Sequence, residues 1–186
     1  MSLLDTWDRG QHTAPVAGAP TTHPTYRKGT GPGVVIVHEI PGLTPEVIAL
    51  AEEVVAAGFT VVLPHLFGTP ERAASAGYVA RSVRQVCVSA EFTKLRTGVT
   101  SPVATWLRSL ARELHAELGG PGVGALGMCF TGGFALAMMV DDSVAAPVVA
   151  QPSAPFALGR RRSADVNLSP ADLETVRERS AVASRR

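Results

Sequence analysis

The residues with the most chemical potential in this sequence are Gly127-Met128-Cys129-Phe130-Thr131-Gly132-Gly133, a thiol between a short apolar strand-like run and an apolar helix-like run. A sharp strand-to-helix turn of this kind lifts a nucleophile above the edge of a sheet and aims a helix N-terminus at it. It also lets the following backbone N–H serve an oxyanion hole. Cysteine suits the position, because an ordinary thiol is only slightly ionised at neutral pH and a helix N-terminus favours the thiolate. On spacing alone, a buried cysteine in a glycine-rich junction is an equally good reading. The overlapping run Gly122-Val123-Gly124-Ala125-Leu126-Gly127 spells a dinucleotide fingerprint, but it follows a helix and contains the strand, so its context is wrong.

A second group, His38-Glu39-Ile40-Pro41-Gly42, stands at the C-terminal end of the apolar run Val34-Val35-Ile36-Val37. In a doubly wound sheet the turns after neighbouring strands share one edge, so a carboxylate and a backbone N–H can lie near Cys129. His38 and His65 have no metal-ligand spacing with the acids, so no metal is expected. His12, His23 and His115 are expected to be solvated. Arg81 and Arg84 can hold a substrate carboxylate, although a solvated helix face is the commoner explanation.

These residues and the run Val61-Val62-Leu63-Pro64-His65-Leu66-Phe67-Gly68 give the chain a resemblance to the dienelactone hydrolase family of α/β-hydrolases over about residues 30 to 155. The resemblance implies Cys129 as nucleophile, Glu39 as the group that helps hold the charge state of the thiol, and the backbone N–H groups of Ile40 and Phe130 as oxyanion hole. It implies hydrolysis of a lactone or carboxylic ester through a thioester acyl-enzyme, without an organic cofactor. Two features depart from the family pattern. Thr131 stands where the elbow has its last glycine, and all five histidines precede Cys129, whereas the triad order in this fold runs nucleophile, Asp, His. None of the later aspartates, Asp141, Asp142, Asp165 and Asp172, follows a recognisable strand. Impaired turnover is therefore expected. A chain shortened at its C-terminal end is the favoured explanation, beside a catalytically inactive binding or dimerising module on the same fold and an enzyme that uses His38 or His65. A cysteine redox sensor, with Cys87 resolving Cys129, is a further class without support from spacing.

The elements that must position these residues follow from composition and periodicity. The chain has 186 residues, 46% hydrophobic and 18% charged, and a net charge of +1, as expected of one folded domain and not of a nucleic-acid binder. Cys87 and Cys129 lack disulfide or zinc spacing, and the N-terminus lacks a signal-like pattern, so a cytoplasmic location is expected. The charge-free stretch Leu118 to Val140 holds seven glycines and is expected to divide into strand, turn and helix rather than cross a membrane.

Residues 1–32 read as an N-terminal arm or peripheral element, 33–158 as the α/β core, and 159–186, with seven Arg against four acids, as a basic C-terminal helical segment. Within the core, strands are predicted at 34–37, 59–63, 123–126 and 147–150. Helices are predicted from Pro45 to the Gly58 stop, from Ser101-Pro102 to Leu118, and at 130–140, with partial helix over 71–88. Alternation of this kind predicts a doubly wound, mostly parallel sheet with helices on both faces and the last strands of the fold missing. The partner expected is a small ester or lactone, with a homodimer through the bare sheet edge as a further expectation.

Overall fold

The computed structural model describes residues 2–92, 98–152 and 166–183. Six strands form one sheet in the order β1-β2-β4-β3-β5-β6. The first two, β1 (Asp8–Val16) and β2 (Ala19–Lys28), are an antiparallel hairpin closed by Ala17 and Gly18, both at positive φ, the backbone that a two-residue hairpin turn requires. β2 pairs antiparallel with β4 (Thr60–Pro64), and β4, β3 (Gly33–Val37), β5 (Val123–Met128) and β6 (Val144–Ala150) run parallel. All five residues of β4 are buried, the pattern of a strand covered on both faces.

One face of the sheet carries Ile36, Val61 and Leu63 under helix α1 (Pro45–Ala56), together with Leu4 and Trp7 from the N-terminus. The opposite face carries Val35, Val37, Val62, Val123 and Ala125 under α3 (Val103–Leu118) and α4 (Gly132–Met138), with Val86 of α2 (Ala76–Val88) completing that core. The last helix, α5 (Pro170–Ala183), packs Val176 with Ala104 and Ala137. Asp172 binds Arg108 at 2.8 Å and Thr100 at 2.6 Å, so it anchors α5 to α3, while Ser169 caps α5 by accepting the Asp172 N–H.

The expected strands and helices of the core are present, and β6 is longer than predicted by three residues at its start, which are Val144, Ala145 and Ala146. Residues 8–28 are two strands continuous with the parallel sheet at its edge. Alternation in β1 turns inward His12, Ala14 and Val16, and in β2 only His23 is fully buried, a stripe too polar to stand out in the sequence. His12 and His23 are buried, contrary to expectation. They are paired across the hairpin, each presents its edge to Trp106 at 5.0 Å, and their carboxylate partners are Glu113 and Glu91. The Leu118 to Val140 stretch divides into β5, a turn and α4, and no described helix is long and apolar enough to cross a membrane. At the far side of the sheet β6 pairs only with β5 among the described residues, and Val148 is 49% exposed. The arginines at 160, 161 and 162 lie outside the described residues.

Candidate active site

Strands β3 and β5 are parallel neighbours, with Val37 aligned to Gly127. Glu39 and Cys129 each stand two positions beyond that aligned pair, so the register brings both turns to the C-terminal edge of the sheet, where ligands bind in such folds. Cys129 has φ +50°, left-handed backbone that a non-glycine residue adopts only where its surroundings enforce it. A single 3₁₀ turn, Cys129–Thr131, leads directly into α4. This is the strained strand-turn-helix geometry that places a nucleophile above a sheet edge. Neither Cys87 nor Cys129 is in a disulfide, and Cys129 is half-buried, packed against the core that includes Phe67, Phe92, Phe130 and Phe134.

Thr131 explains how the elbow tolerates a β-branched residue in place of glycine. Its side chain is fully buried below the turn. The hydroxyl oxygen accepts the Met128 N–H at 3.1 Å, and its proton lies between the carbonyls of Val37, at 2.9 Å, and Met128, at 3.0 Å. One side chain thus closes the elbow upon itself and fastens it to the end of β3. Room for this is made at Gly127, where any Cβ would overlap the Thr131 carbonyl oxygen. The sequence pointed to Thr131 only as a departure from pattern; the departure was the available signal for this cross-strand tie.

His38, at the end of β3, has no exposed surface. Its Nε2 lies 3.1 Å from the Leu66 N–H and its Nδ1 lies 3.0 Å from the Glu39 carbonyl. Since the amide can only donate and the carbonyl can only accept, the proton resides on Nδ1 and the ring is neutral. Burial holds its pKa down at about 4, partly offset by the Glu39 carbonyl. Both ring nitrogens are committed to backbone, so His38 does not face Cys129 as a base.

His65 follows β4, which β3 separates from β5. Its Nε2 is 3.3 Å from the Gly68 carbonyl, and burial lowers its pKa as well. Glu39 and Ile40 are half-buried and Phe130 is buried. The Pro41 carbonyl accepts a hydrogen bond from Ser82 of α2 at 2.9 Å, and a Cβ at Gly68 would overlap that same carbonyl, so the turns after β3 and β4 pack backbone against backbone. Arg81 and Arg84 lie on the exposed side of α2, away from its buried residues Tyr78, Ser82 and Val86. Among the described residues no cluster of three or more His, Cys, Asp or Glu side chains could hold a metal ion.

The sequence matches the model of the dienelactone hydrolase family over residues 19–170. The chain belongs to the dienelactone hydrolase family. The match begins within the hairpin and ends at the start of α5, so it takes in every strand from β2 to β6. Membership makes the chain a hydrolase by family. No curated protein matches the sequence.

Solved structures with the same fold include a dienelactone hydrolase from Klebsiella pneumoniae, titled putative, with TM-score 0.57 and 15% identity over 97% of this chain and 82% of that one. A dienelactone hydrolase-like promiscuous phosphotriesterase from metagenomic libraries gives TM-score 0.51 and 14% identity, over 96% of this chain and 78% of that one. The structure of DcsB with its substrate analogue gives TM-score 0.56 and 15% identity over 97% of this chain, which spans only 55% of DcsB. At these identities the likeness is one of fold.

Proposed function

We propose that this dienelactone hydrolase family member cleaves small carboxylic esters or lactones by covalent catalysis at Cys129. The observation that carries the reading is the left-handed backbone of Cys129 at the β5–α4 junction, on the same sheet edge as Glu39. In the first half-reaction the thiol gives its proton to the Glu39 carboxylate and sulfur attacks the carbonyl carbon. The backbone N–H groups of Ile40 and Phe130 receive the developing oxyanion, and the alkoxide or phenolate leaves with the C–O electron pair. The product is a thioester. In the second half-reaction water displaces the thiol, and a base is needed to activate that water.

His38 is already bonded at both nitrogens, and His65 follows β4, which β3 separates from β5. Acylation should therefore outrun deacylation. A stopped-flow trace with p-nitrophenyl acetate is expected to show a burst of one equivalent of product per chain and then a slow phase. A linear trace without burst, unchanged in Cys129→Ala, would remove the nucleophile. The cytoplasm, where a thiol stays reduced, is the compartment this chemistry suits.

The alternative, a catalytically inactive dimerising module, draws on β6, whose outer edge has no strand partner among the described residues. Its occupant would be β6 of a second copy. Sedimentation velocity would then show a dimer that Val148→Lys dissociates, and Cys129→Ala would be without effect on it.

A further inference from the structure

We propose that His38 is a positioning residue for the acylation step, acting through the peptide group that joins Glu39 to Ile40. The inference rests on the Cys129 reading and concerns the donor that receives the oxyanion.

A peptide group is planar and rigid. The Glu39 carbonyl and the Ile40 N–H belong to one rigid unit, and the Glu39–Ile40 bond is trans. In a trans peptide the two groups point in opposite directions, so whatever fixes the carbonyl also fixes the N–H. His38 fixes the carbonyl, because its Nδ1–H donates to Glu39 O at 3.0 Å. The ring itself cannot turn. Its Nε2 is held by the Leu66 N–H beyond the end of β4, and the Phe67 ring stands steeply tilted against it with the two centroids 4.5 Å apart. A fully buried ring thus joins the turns after β3 and β4, and its free face of action is the aim of the Ile40 N–H. A hydrogen bond to the carbonyl also polarises the peptide and makes its N–H a better donor. Two carbonyls further along, Pro41 O is held by Ser82 at 2.9 Å, so the turn is also secured beyond Ile40.

The pair His38→Asn and His38→Gln separates positioning from packing. The Asn amide can donate near the place of Nδ1 and keeps the Glu39 contact; the longer Gln can only reach toward Leu66 and loses it. Two reactions of Cys129 are compared by intact mass: acylation by p-nitrophenyl acetate, which needs an oxyanion donor, and alkylation by iodoacetamide, which needs none. His38→Gln is expected to acylate about tenfold more slowly or worse, given what a single oxyanion donor contributes, while alkylation stays within about twofold. His38→Asn is expected to recover most of the acylation rate.

Equal loss in both variants, a parallel fall in alkylation, or no loss in either overturns the role of His38 while leaving the nucleophile in place. A wild-type chain that alkylates at Cys129 but never acylates overturns both, since no oxyanion step exists to be positioned. Should near-UV circular dichroism show the His38 variants unfolded, the ring 15N shifts of His38 in the wild-type chain decide: a neutral ring protonated on Nδ1 is expected, and a proton on Nε2, which leaves nothing to donate to the Glu39 carbonyl, overturns the proposal.

Discussion

At the scale of single residues, Cys129 and Glu39 carry distinct burdens, and exchange of one carboxylate for an amide tests the division. Glu39→Gln keeps the volume and removes the carboxylate proposed to take the thiol proton. Acylation at pH 7 is expected to fall by about a hundredfold or more, with the thermal midpoint little changed because Glu39 is only half-buried. Stopped-flow release of p-nitrophenolate measures it, and a fall of less than about threefold would take Glu39 out of the mechanism. The placement of both residues at the C-terminal edge of the sheet was legible in the sequence, since each follows an apolar strand run. His38 was legible only as a residue. Its identity suggested a base, whereas burial and two backbone bonds make it a strut, and neither burial nor bonding partners can be read from spacing.

At the scale of elements, the elbow and the end of β3 form one hydrogen-bonded unit through Thr131. Thr131→Val is nearly isosteric and leaves the Met128 N–H and the Val37 carbonyl without that hydroxyl inside the protein. A loss of about 1 to 3 kcal/mol is expected from urea unfolding, the cost of unsatisfied buried polar groups. Thr131→Ser keeps the hydroxyl and should lose less; an equal or larger loss there would mean that packing of the methyl matters at least as much as the tie.

The elements differ in how well the sequence announced them. β3, β4, β5, α1 and α3 have continuous apolar runs or regular stripes because they are buried. The β1–β2 hairpin hides its alternation, since its inward positions hold histidines that are satisfied by Glu113 and Glu91 and not by apolar contact. The start of β6 is one buried valine, Val144, followed by two exposed alanines and Pro147, a composition that carries little strand signal.

At the scale of the whole molecule, the buried neutral His38 links stability to pH. Its native pKa of about 4 lies below the ordinary 6.5 because burial opposes the charge, and His65 and His23 add further opposition. Between those two values the unfolded chain binds a proton that the native chain does not, so stability rises with pH there. The contribution is complete above about pH 6.5 and is lost as pH falls toward 4, amounting to about 3 kcal/mol across the window. His65, lowered in the same direction, adds to the trend. Urea midpoints at pH 4.5 and 7 check this, and His38→Gln should flatten the difference.

The central claim is that Cys129 becomes acylated, and intact-mass spectrometry of the chain with p-nitrophenyl acetate tests it most directly. The account predicts the mass of one acetyl group per chain, mapped to the peptide that contains Cys129 and absent from Cys129→Ala. An unmodified Cys129, or an equal adduct on Cys129→Ala, would contradict it.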